Sequence, residues 1–279
     1  MMESNTLQDV LEWHLSIGVD ETIADAPINR FDQAPPPAQP HAQSPTSANG
    51  PASAPSSSAS PAHAPARTPV RTQAPGPSGE AAIKSAFELA EVASTVAELR
   101  EALEKFDGCA LKKTATNLVF MGGDPHARLM FVGEAPGAEE DRQGVPFVGP
   151  SGKLLEKMLG SIGIERKDVM ISNTVFWRPP GNRTPTPQET AVCMPFMERL
   201  IELVDPDVLV TLGGPASKAL LGETQGVGRL RGRWFTFQSA RMSHPVDATA
   251  MFHPAYLLRT PNQKRPTWGD LLGIREKLG

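Results

Sequence analysis

The chain has 279 residues, 39% of them hydrophobic and 21% charged, and a formal net charge of −4 that would argue against nucleic acid if it were spread evenly. It is not: residues 1–80 hold three basic against eight acidic residues, leaving 24 against 23 in residues 81–279. No apolar run is long enough to cross a bilayer, Glu3 and Asp9 follow Met1 where a signal peptide would be basic, and two cysteines make no secreted disulfide scaffold, so a cytoplasmic monomer without a membrane partner is expected.

Residues 1–24 carry Leu7, Val10, Leu11, Trp13, His14 and Ile17 at helical spacing, closed by Gly18. This amphipathic helix folds back on its own domain or binds a protein partner, and the long tether after it favours the partner. Residues 25–79 are rich in Pro, Ala, Ser and Gln, with almost no aromatic or branched aliphatic residue after Phe31. Such a segment has too little apolar surface to offset the entropy of ordering, and a disordered linker is expected. Residues 80–279 remain as the folded domain.

That domain opens with a helical stretch over residues 83–106, bearing Phe87, Leu89, Val92, Val96, Leu99 and Leu103, with Ser94 or Thr95 as an internal cap dividing it into two helices. Leu129-Met130-Phe131-Val132 reads as a short buried strand, and residues 151–159 as an amphipathic helix. Between them lies Gly133-Glu134-Ala135-Pro136-Gly137-Ala138-Glu139-Glu140-Asp141, then Gly144-Val145-Pro146-Phe147-Val148-Gly149. Glycine-rich loops at the carboxyl ends of parallel strands are where open α/β sheets place ligands. A phosphate cradle is disfavoured, because the loop lacks Gly-Lys-Ser/Thr and Gly-x-Gly-x-x-Gly order and its carboxylates would repel a triphosphate. Within it, Glu139 and Asp141 read as solvated charges.

Further strands are expected at residues 169–172, ending on Asn173, and at residues 208–212, closed by Gly213-Gly214; helices are expected at residues 189–204 and 215–221. Arg229, Arg231, Arg233 and Arg241 crowd a hairpin-like stretch, suiting either phosphate contacts or a solvated surface. Met251-Phe252 ends another strand, with His253 at its tip and Pro254 opening a helix; Arg259, Lys264 and Arg265 follow. Strands alternating with helices predict a three-layer α/β/α fold around a central, mainly parallel sheet.

Gly133 to Asp141, Pro146-Phe147-Val148-Gly149, Asn173 with Arg178-Pro179-Pro180-Gly181-Asn182-Arg183, and His253-Pro254-Ala255-Tyr256-Leu257-Leu258-Arg259 resemble the motifs of family 4 uracil-DNA glycosylases, over residues 100–275. The resemblance implies a monofunctional DNA-repair enzyme that flips uracil from DNA and hydrolyses its N-glycosidic bond, leaving an abasic site without a nucleotide or metal cofactor. It places Phe147, Asn173, Gly133 and Ala135 at the uracil. An aromatic ring supplies a stacking platform, and a side-chain amide matches uracil O4 and N3–H while mismatching cytosine.

His253, held extended before Pro254 and next to a helix N-terminus that disfavours a ring proton, is the candidate donor to the departing O2. Glu140 is assigned to the water and Glu134 to positioning the loop and base. Leu257, Leu258 and Arg259 resemble the segment that wedges into DNA, against the alternative of a helix burying its leucines. Arg178, Asn182 and Arg183 grip phosphate or cap one another.

Most family 4 enzymes hold a 4Fe-4S cluster on four cysteines. Here Cys109 and Cys193 match two of those positions, while Phe106 and Trp177 stand at the other two. Neither aromatic ring ligates iron, so no cluster is expected and the rings are expected to fill the vacated volume. The loop over residues 174–187 has no histidine of the kind that traps the abasic sugar in a crosslinking subfamily, so turnover is expected. The runner-up function is a non-catalytic DNA-binding relative that recognises damage or recruits partners through its N-terminal helix. Nucleotide hydrolysis on this scaffold lacks a phosphate loop.

Overall fold

The computed structural model describes residues 79–279; the helix expected over residues 1–24 and the linker up to residue 78 lie outside the described residues. Two helices come first, α1 (Gly79–Val92) and α2 (Val96–Lys105), and Thr95 caps the second by accepting the Glu98 amide. The domain therefore begins one residue inside the expected linker. Strand β1 is Met121–Gly123 and β2 is Leu129–Gly133, followed by α3 (Ala138–Gln143), α4 (Pro150–Gly160) and β3 (Met170–Asn173). Then come α5 (Pro187–Val204), β4 (Val208–Leu212), α6 (Gly214–Leu221), α7 (Val227–Leu230), β5 (Trp234–Phe237), β6 (Val246–Met251), α8 (Pro254–Arg259) and α9 (Lys264–Leu278).

The strands form a six-stranded sheet in the order β1-β3-β2-β4-β6-β5. Its central pairings, β3 with β2, β2 with β4 and β4 with β6, are parallel; the edges β1 and β5 are antiparallel. Successive side chains point to opposite faces, which sorts the core in two. Met130, Val132, Met170, Leu209 and Ala248 meet α1, α2 and α5 on one face. Leu129, Phe131, Ile171, Val210 and Met251 meet α4 and α9 on the other. The strands β2, β3 and β4 are buried throughout, as a parallel sheet covered on both faces requires.

Two expectations fail here for packing reasons. Phe87 and Val92, read as part of an apolar stripe, are 56% and 74% exposed, while Ala82, Ala86 and Ala90 are buried. The small face lets α1 lie close on α5, and the large residues are left outside. Asp141 is buried, accepting the amides of Thr116 and Asn117 at 2.8 and 3.0 Å, so it is a structural anchor rather than a solvated charge. Of the arginine group near β5, Arg229 and Arg233 stay exposed while the other two are drawn into ion pairs. Arg231 binds Asp270 through two contacts at 2.8 and 2.9 Å, and Arg241 pairs with Glu91.

Candidate active site

Strand β2 ends at Gly133, β3 at Asn173 and β6 just before His253, so three strand tips deliver the loop, the amide and the imidazole to one rim. A cleft of about 440 Å3 opens there, lined by Glu134, Ala135, Glu140, Phe147, Asn173 and His253, with Asn182, Arg183 and Arg259 at its wall. The β2 and β3 ends are tied beyond the sheet: the Thr174 and Val175 amides donate to the carbonyls of Gly133 and Glu134 at 2.9 and 3.1 Å. Gly133 is under the floor, where an added Cβ would lie 2.5 Å from Asn173 Oδ1 and 2.8 Å from the Phe147 ring. Any side chain there would push both groups out of place.

Phe147 is buried and has a left-handed backbone, φ +54, a conformation costing on the order of 1 to 3 kcal/mol for a residue with a side chain. Arg166 holds it there by donating to the Phe147 carbonyl at 2.7 Å. Its ring lies 5.4 Å from the His253 ring, tilted by 31°. Asn173 is 1% exposed, and its Oδ1 is the sole buried side-chain polar atom among the described residues without a hydrogen-bond partner. An unpaired buried carbonyl costs roughly 1 to 3 kcal/mol, which a ligand N–H would recover.

His253 caps α8. Its Nδ1 accepts the Ala255 amide at 3.1 Å, which leaves the ring proton on Nε2. Burial, then the positive charge of Arg259, pull its pKa down to about 4, with Glu140 opposing. The ring is thus neutral at ordinary pH, as read from the sequence, but desolvation is the main reason. The helix N-terminus acts through one amide. Behind it, Gly213 takes φ +91 and would set a Cβ 3.2 Å from His253 Cβ, so only glycine serves at the end of β4.

The two carboxylates have different surroundings from those expected. Glu140 is buried, and its oxygens accept the backbone amides of Val148, Gly149 and Gly137 at 3.0, 2.8 and 3.2 Å. It braces the Phe147 loop, the task the sequence reading gave to Glu134. Glu134 is half-buried, and burial raises its pKa, with Thr184 working against that. Among the wedge residues, Leu257 is fully buried and cannot enter DNA; the helix buries this leucine because it faces α4. Leu258 is 44% exposed and keeps that option.

On the Pro/Gly loop two of the three residues bond to each other and the third to a carboxylate outside the loop. Arg178 donates to Asn182 Oδ1 at 2.7 Å, and Arg183 grips the Glu189 carboxylate at 2.7 and 2.8 Å. Arg183 meets phosphate only by sharing its guanidinium with Glu189. Sequence reasoning missed Tyr256, Ser151 and Thr184 in the cleft lining, and the Arg166 brace. Tyr256 was the findable one, as the single tyrosine of the chain within the His253 motif.

Cys109, Cys193, Phe106 and Trp177 are buried in one apolar cluster. The neighbouring Cys193 thiol holds that of Cys109 below its usual value, while Cys109 and burial push that of Cys193 well above it. The Phe106 ring packs against that of Phe196, 5.1 Å between centroids and tilted by 55°. A ligand set of two thiols flanked by a phenyl and an indole does not fit a four-iron cluster.

A family model described as the uracil DNA glycosylase superfamily matches residues 120–272. The chain is 40% identical over 175 residues to a type-4 uracil-DNA glycosylase of Archaeoglobus fulgidus, covering 61% of this chain and 87% of that protein. It is 42% identical over 160 residues to the type-4 enzyme of Thermotoga maritima, covering 57% and 81%. With the one from Sulfurisphaera tokodaii the figures are 38% over 184 residues, 64% and 83%. The cleft at the sheet's rim, the matched span and these relatives agree: the chain belongs to the uracil-DNA glycosylase superfamily, among its type-4 members.

Proposed function

We propose that the cleft receives a uracil turned out of DNA and hydrolyses its N-glycosidic bond, releasing the base and leaving an abasic site. The observation that carries this is the unpaired, buried Asn173 Oδ1, facing a cleft shared with Phe147 and a neutral His253. Uracil N3–H supplies the hydrogen that Oδ1 lacks; cytosine has no hydrogen at N3 and would leave it unpaired. Phe147 stacks on the base. As the C1′–N1 bond breaks, its electron pair leaves with uracil, and His253 Nε2–H donates to the O2 on which charge gathers.

Glu134 is the carboxylate for the water and for the positive charge on the sugar, because its oxygens are not spent on backbone amides and burial raises its basicity. Leu258 fills the gap left by the nucleotide, and Arg259 and Arg178 meet flanking phosphates. Retention of DNA without turnover is the weaker reading, since a non-catalytic relative would have no use for a neutral imidazole at the base. We further propose a monomer acting in the cytoplasm, in keeping with two unpaired thiols. Among the described residues no helix is long and apolar enough to cross a membrane.

We also propose that the domain works without an iron-sulfur cluster. Support comes from the ligand set: the whole chain has two cysteines, and the aromatic rings at the other positions are buried against the same core. Protein purified without oxygen should contain no stoichiometric iron or acid-labile sulfide; a visible thiolate-to-iron absorption band would overturn this.

On a labelled oligonucleotide with one uracil, His253→Ala is expected to slow release about a hundred- to a thousandfold while DNA retention changes little. Asn173→Ala should act likewise, and equal losses in excision and retention would count against both roles. The imidazole also sets a pH signature. Folded His253 resists protonation until pH about 4, whereas an unfolded histidine takes a proton near 6.5, so this site removes stability as pH falls between those values. Below about 4 the ring proton would displace the Ala255 hydrogen bond, and excision should fall there. An inflection in kcat near 6.5 that disappears in His253→Ala would contradict the neutral donor.

A further inference from the structure

Beside the cleft, on the other side of α8, a groove of about 210 Å3 runs between α4 and α9. Leu154, Met158, Leu257 and Leu271 make an apolar floor, and Lys157, Lys264 and Trp268 form the rim. Trp268 is 50% exposed, a large apolar ring left half in water. The carboxylates next in sequence to this rim are occupied elsewhere, Glu156 with Arg166 and Asp270 with Arg231, so the lining is cationic without an acid. Among the described residues neither lysine has an ion-pair partner, so the surface combines an exposed ring with free cations.

We propose that this groove holds the DNA strand next to the excised nucleotide, with an unpaired base stacked on Trp268 and phosphates on Lys157 and Lys264. The proposal rests on the uracil-excising reading of the cleft and extends it along the strand. Two observations select nucleic acid as the occupant. The rim charge complements a polyanion, and aromatic rings beside cations are how single strands are bound without regard to sequence. The groove and the cleft are also served by consecutive residues of α8: Leu257 lines the groove, Leu258 is exposed, and Arg259 lines the cleft.

The test compares a long single-stranded uracil oligonucleotide with a short one that ends beside the uracil. Trp268→Ala should raise KM for the long strand on the order of tenfold and leave kcat, and KM for the short strand, unchanged. Trp268→Phe should restore most of the loss. Lys157→Ala and Lys264→Ala should each lower the salt slope of binding by about one. Unchanged KM on the long strand, or equal increases on both strands, would overturn the proposal. Failure of the unsubstituted protein to release uracil from either strand would instead overturn the reading of the cleft.

Discussion

The missing side chain at Gly133 is the constraint on which the cleft depends. Asn173 Oδ1 and the Phe147 ring occupy the space where a Cβ would lie, 2.5 and 2.8 Å away, so the floor of the site is assembled around a hydrogen atom. The parallel pairing of β2 with β3 puts Gly133 opposite Asn173 in register, and the Thr174 amide closes the pair beyond the sheet. Phe147 then keeps its left-handed backbone because Arg166 and the three amides on Glu140 hold the loop from both sides.

Burial does different things to the titratable groups that surround this floor. It strips His253 of its proton affinity, and the Ala255 amide then decides which nitrogen keeps the remaining hydrogen. It raises Glu134, which keeps a carboxylate with some basic character at the mouth. Glu140 is fully committed to amides, and that commitment gives the loop its shape. Two neighbouring acids are thus set apart, Glu140 by the amides it accepts and Glu134 by burial.

Much of this was legible in the sequence, because the relevant signals are local. The buried run at residues 129–132, the Asn173 strand end and the His253-Pro254 junction all specify short-range backbone geometry, and their positions followed. The edge strands β1 and β5 were not distinct in the sequence: β1 has three residues, and the β5 pattern is mixed in burial. Long-range partners were invisible for a physical reason. Arg166 reaches Phe147 across 19 residues and Asp141 reaches Thr116 across 25, pairings set by the folded chain and not by spacing. Likewise the choice between Glu134 and Glu140 turned on amides that only the folded loop supplies, and Leu257 differs from Leu258 only by the face of α8 it occupies.

If Asn173, Phe147 and His253 serve one everted pyrimidine, free uracil should meet all three at once. A crystal structure of the protein soaked with free uracil tests it most directly. The ring should stack on Phe147, with N3 within hydrogen-bonding distance of Asn173 Oδ1 and O2 facing His253 Nε2. Uracil bound elsewhere, or in the cleft with Asn173 Oδ1 still unpaired, would contradict it.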